Sequence, residues 1–93
     1  MEMSTKEQGG RHTPAMDGYR PGFRAATDGH GDVDLGVAEV TLPADHPMLL
    51  PGESVEVELT PVELAAWSNV STRLVLGVFE GENQVGTATV LEV

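Results

Sequence analysis

The sequence predicts an all-β fold, a small antiparallel barrel or sandwich, and three observations carry that expectation. Short strand-like runs are divided by glycine and proline along most of the chain, as in β domains with frequent turns. From Ser54 to Thr60 apolar and polar residues alternate with the period of a half-buried strand. Only Pro61 to Trp67 has helical composition, and it is too short to be more than a turn or two.

Taken in order, residues 1–8 carry charge without periodicity and are expected to form a disordered leader that ends at the breaker Gly9-Gly10. Arg11 to Met16 reads as one extended segment. Tyr19 to Thr27 reads as another, with Pro21 at an edge or bulge because it has no N–H to give a ladder. Val37 to Leu42 is a third strand, closed by Pro43. Leu49 to Glu53 forms the turn into the next strand, with Pro51-Gly52 suited to the centre of a type II turn.

In Ser54 to Thr60, Val55, Val57 and Leu59 share one face and Glu56, Glu58 and Thr60 the other. A one-residue slip would point both glutamates at the core, so the alternation fixes the register. After Ser68-Asn69 ends the short helical stretch, Thr72 to Phe79 and Gln84 to Val93 read as two strands joined through Glu80-Gly81-Glu82-Asn83, a connection of the length hairpins prefer. Leu74, Leu76 and Val78 lie on one face of the first of these strands.

The length of 93 residues allows one domain with a modest core. The chain has no cysteine, which excludes disulfides, zinc–thiolate sites and thiol catalysis. No apolar run approaches the roughly 20 residues that cross a bilayer, and the polar start lacks the hydrophobic stretch of a signal peptide, so a cytoplasmic protein without membrane contact is expected. The net charge is −10, and only Arg73 among the five basic residues follows Arg24. Nucleic-acid affinity depends on cations that neutralise phosphates, so basic protein surfaces are better partners for the acidic remainder.

The run Gly9-Gly10-Arg11-His12-Thr13-Pro14, followed by Gly18-Tyr19-Arg20-Pro21-Gly22-Phe23, resembles the opening of the third, C-terminal β-barrel domain of bacterial elongation factor Tu. Further segments continue the likeness in order. Leu42-Pro43 and then Met48-Leu49-Leu50-Pro51-Gly52-Glu53 are similar to the family's Leu-Pro and Met-x-Met-Pro-Gly-Asp segments. Val57-Glu58-Leu59 with Pro61-Val62 resembles its strand and Pro-led turn. Leu74 through Gly86, with Glu80-Gly81 and Val85-Gly86, is similar to its final hairpin. The resemblance spans residues 9–93 and implies a six-stranded antiparallel Greek-key barrel. There is no phosphate loop for GTP in the sequence, so what it implies is a detached, non-catalytic domain without cofactor or metal.

Three departures shape the functional expectation. The family's opening strand precedes the Gly-Gly-Arg-His motif, and here only residues 1–8 stand in that place. Either Met1 to Lys6 makes a poor substitute for the strand, or a strand is missing and the open edge invites a homodimer. Next, positions that in the family approach the tRNA are altered: the glutamine of its Arg-Pro-Gln-Phe motif is Gly22, a cation before the Pro-led turn is Thr60, and the Gly-Arg of the final hairpin is Glu82-Asn83. Only Glu80 and Gly81 remain as residual RNA-facing residues, and loss of tRNA delivery follows from the lost cations. Finally, Gly29 to Gly36 is an insertion relative to the family, giving the run Asp28 to Asp34, whose alternate acids superficially resemble a calcium loop. The order departs from that of such loops, and a solvated hairpin tip is expected.

No histidine pair has zinc spacing and no serine stands in a nucleophile elbow, so no enzyme is expected. Trp67 is expected to cover one end of the barrel. The expected function is a protein-binding module linked to translation elongation, a mimic or regulator whose partner is a translation factor, its exchange factor or a toxin. The partner-binding residues are Arg11, His12, Tyr19, Arg20 and Arg24. The alternatives are an accessory translation protein with residual tRNA binding and a self-associating structural domain.

Overall fold

The computed structural model describes residues 1–27 and 31–93. The strands are β1 (Glu2–Met3), β2 (Ala15–Met16), β3 (Gly22–Thr27), β4 (Gly31–Thr41), β5 (Met48–Leu49), β6 (Glu58–Pro61), β7 (Val75–Glu80) and β8 (Asn83–Thr89). Two 3₁₀ turns, Lys6–Gln8 and Leu64–Trp67, are the helical elements among the described residues. The fold is all-β. A six-stranded antiparallel sheet in the order β1-β8-β7-β3-β4-β6 curls strongly into a half-barrel, and β2 pairs with β5 in a small second sheet.

The curl has a clear cause in the sequence. Phe23, Ala25, Leu35, Ala38, Val40, Leu76, Val78, Val85 and Ala88 point to the concave side and are buried, while Arg24, Glu39 and Thr41 stand outside. Burying one face of a twisted sheet with few aromatics is easiest when the sheet wraps upon itself. Register shifts between Phe23 and Arg24 on β3 and between Val78 and Phe79 on β7 mark bulges, which sharpen the bend.

The expectation of a disordered leader is corrected. Glu2 and Met3 pair with Thr87 and Gly86 of β8, Met3 is 2% exposed, and Thr5 and Gln8 form a reciprocal capping box around the first 3₁₀ turn. Met3 N–H donates to Glu53 O, and Gly52 N–H donates to Met3 O, both at 2.9 Å. β1 thus lies between β8 and the segment that leads into β6, where Glu2 forms an isolated bridge with Ser54. Gly86 makes this approach feasible, since a Cβ there would lie 2.4 Å from Glu2 O. The residues before Gly9 therefore supply an ordered strand at the edge of β8. β8 is thereby paired at Gly86 and Thr87.

Other elements depart from the sequence reading in extent. Arg11 to Met16 yields only β2, and that strand belongs to the second sheet. β4 begins at Gly31 instead of Val37, because residues 31–36 extend the β3–β4 ladder, with Val33 opposite Ala25 and Asp34 opposite Arg24. The solvated tip expected over Gly29 to Gly36 is corrected for residues 31–36, which pair in the β3–β4 ladder with Asp32 and Asp34 opposite Ala26 and Arg24; the rest of that tip, and with it the calcium reading, includes residues 28–30, which lie outside the described residues. In the stretch from Ser54 to Thr60 the alternation holds, with Val55, Val57 and Leu59 half-buried. Only residues from Glu58 onward form a ladder strand, as the chain changes partner from β1 to β4. The turn before it is as expected: Glu53 N–H donates to Leu50 O at 3.0 Å, and Gly52 takes φ 86, the sign a type II turn demands at that position.

Trp67 packs edge-on against Phe23, with ring centroids 5.5 Å apart. Its Nε1–H donates to Leu35 O at 2.8 Å. This satisfies the polar edge of the ring while the remainder covers the core. Among the described residues no helix is long and apolar enough to cross a membrane.

Candidate functional site

Most of the candidate residues converge where β3 meets the β7–β8 turn. Tyr19 is set by a turn in which its N–H donates to Met16 O at 3.0 Å, and its carbonyl accepts from Val40 N–H at 2.7 Å. Arg11 follows the Gly9-Gly10 bend and is tied locally, Nε to Thr13 O at 3.2 Å and Nη2 to Thr13 Oγ1 at 3.1 Å. Arg11 Nη1 and the Tyr19 hydroxyl both donate to the same oxygen of Glu80, Oε2. The Arg11 guanidinium also lies over the Tyr19 ring, 4.8 Å from its centroid. One carboxylate thus joins the two N-terminal motifs to the last hairpin.

The electrostatics of this node follow from its donors. Burial pushes the Glu80 carboxyl up, but the Tyr19 and Arg11 donors outweigh it and hold the group below the ordinary carboxylate range. For Tyr19, burial raises the hydroxyl pKa and the bond to Glu80 raises it further, against a smaller opposing effect of Arg11. The node is a charged group already satisfied by neighbours.

The other two candidate arginines, Arg20 and Arg24, are likewise engaged. Arg24 stacks on Phe79 at 4.2 Å from the ring centroid and reaches Glu82 Oε1 at 3.2 Å. Arg20 donates to Glu39 Oε2 through Nε at 3.1 Å and Nη2 at 2.8 Å. Arg20, Arg24, Glu80 and Gly81 line one shallow groove of about 310 Å³ over the outer face of β3 and β4. Of the expected protein-partner residues, Arg20 and Arg24 therefore share one surface with the RNA-facing pair Glu80 and Gly81. Asn83 extends it, its Nδ2 donating to Gly9 O at 3.1 Å.

His12 is exposed and makes no side-chain hydrogen bond among the described residues. His46 belongs to a different turn, with Nε2 3.5 Å from Glu53 Oε1, beyond hydrogen-bond reach. His30 lies outside the described residues. Among the described residues no group of three or more acids and histidines is arranged to hold a metal ion. Glu39 and Phe79 were missed as members of the site, and Glu82 was read only as repulsion toward RNA. Their signal is cross-strand adjacency, which appears only once register is known. No protein-family model matches the chain.

Proposed function

We propose that this chain is a non-catalytic, stand-alone relative of the C-terminal domain of elongation factor Tu, acting as a protein-binding module linked to translation elongation. Its finer topology is the closed Greek-key barrel of that domain. The observation that supports the reading is the meeting of Arg11 and Tyr19 with Glu80, which lie 69 and 61 residues apart in sequence. These residues come from separate motifs that resemble the family, and a shared contact gives all of them one reason to be present.

The role is recognition through a preorganised surface. A barrel with a surface like the parental one competes for the same partner without nucleotide. Elongation factor Tu itself, its exchange factor, or a toxin that recognises the parental domain is the expected partner. Residual tRNA binding is disfavoured because Arg11, Arg20 and Arg24 each already hold a carboxylate, and a phosphate would have to displace it.

The immobilised full chain should retain one of these proteins from lysate of the source organism, and Arg20→Ala should reduce the retained amount. Recovery of none of them, with Arg20→Ala behaving as the parent, overturns the reading.

A further inference from the structure

Along the outer face of β4 and the residues that follow β6 runs an apolar patch that adjoins the groove beside Glu80, which Val37 also lines. Val37, Val62 and Leu64 remain 39%, 67% and 74% exposed. Val62 N–H donates to Val37 O at 2.9 Å, which sets these two residues side by side. Leu64 opens the second 3₁₀ turn, which packs on β4. Large aliphatic side chains scattered singly are ordinary on a surface, but a contiguous group marks a contact face.

The charge pattern continuing from this patch specifies the occupant. Along the same two strands Glu39 stands opposite Thr60, and Thr41 opposite Glu58. Past them Thr41, Pro43, Glu56 and Glu58 line a second shallow groove, of about 350 Å³. Glu39 holds Arg20, whereas Glu56, Glu58 and Glu63 form no ion pair among the described residues. An apolar end thus runs into an acidic strip with a cleft. A second copy is a poor occupant, since each chain carries a net charge of −10 and would set like charges against each other.

We infer that this face binds a basic amphipathic polypeptide segment of the partner. Its aliphatic side chains cover Val37, Val62 and Leu64, and its lysines or arginines lie along Glu58 toward the cleft beside Glu56. Burial of the aliphatic groups supplies affinity, and the acids set orientation and association rate. The inference rests on the reading of the chain as a protein-binding module and adds where the partner sits and what it carries.

The test is a titration of the ¹⁵N-labelled full chain with a peptide alternating lysine and leucine, with lysine–serine and glutamate–leucine peptides in parallel. Amide shifts confined to residues 37–41 and 56–64 are expected with the lysine–leucine peptide. Binding should weaken by about tenfold or more when leucine becomes serine, and equally in Val62→Ser/Leu64→Ser, whose substituted side chains are exposed and so leave folding intact. Shifts centred elsewhere, equal binding of the lysine–serine or glutamate–leucine peptide, or shifts at these residues that depend on protein concentration alone overturn the inference. The last outcome would identify a second copy. Failure here leaves the translation-linked reading standing, and failure to retain a translation factor leaves this face standing.

Discussion

Met3→Ala tests whether the first eight residues belong to the fold. The Met3 side chain is 2% exposed within the core, and its backbone is held on both sides, by Glu53 and Gly52 and by the ladder to Gly86. Truncating a buried methionine to alanine costs about 2–5 kcal/mol, and more where the surroundings cannot collapse. With β1 pinned between two neighbours the middle of that range applies, about 3 kcal/mol, which lowers the melting temperature of a domain this size by about 10–25 °C. Urea unfolding followed by the fluorescence of Trp67, the only tryptophan, measures it, with a lower midpoint and an unchanged slope expected. A change within about 0.5 kcal/mol, as for an ordinary surface position, would show that the leader does not pack and would refute the assignment of β1.

Gly86→Ala should produce a loss comparable to Met3→Ala in the same assay, because the new Cβ would lie 2.4 Å from Glu2 O and displace β1; a neutral outcome would contradict the close approach. Tyr19 is the only tyrosine, so tyrosinate absorbance reads it alone: it should ionise well above the ordinary value of about 10, and Glu80→Gln should bring it down. The neutral hydroxyl is favoured by folding, so this contribution is present below about pH 10 and is lost as pH rises toward the higher folded value. The Glu80 carboxyl is depressed by folding, so its contribution is present above about pH 4.3 and is lost as acid is added through the folded value, which circular dichroism of Glu80→Gln against the parent should resolve as a weaker acid dependence. Arg20→Ala removes an exposed ion pair and should change unfolding free energy by less than about 1 kcal/mol while reducing partner retention, a split that urea titration and the binding assay read separately.

The strands with strong local signals were legible in the sequence. Val75–Glu80 and Asn83–Thr89 fall within the expected hairpin, and the turn at Pro51-Gly52 and the short helical stretch at Leu64–Trp67 were expected where they occur. β1 was not legible, because a two-residue strand has no period and is stabilised wholly by distant partners. The early start of β4 was hidden for a related reason. Asp32 and Asp34 suggest a loop locally, and their pairing with Ala26 and Arg24 outweighs that preference. At the candidate site Arg11, Tyr19 and Glu80 were each singled out from sequence, but not as neighbours. The carboxylates that neutralise Arg20 and Arg24 come from β4 and the β7–β8 turn, and only the register brings them there.

Recognition of a protein rather than RNA by this surface is read out by fluorescence anisotropy of the labelled full chain at low salt. Aminoacyl-tRNA is titrated in one series, and purified elongation factor Tu and its exchange factor in others. Saturable binding to one of the proteins, reduced by Arg20→Ala, is expected, and no specific complex with the RNA. A saturable tRNA complex that weakens steeply with salt, together with no binding to either protein, would contradict it.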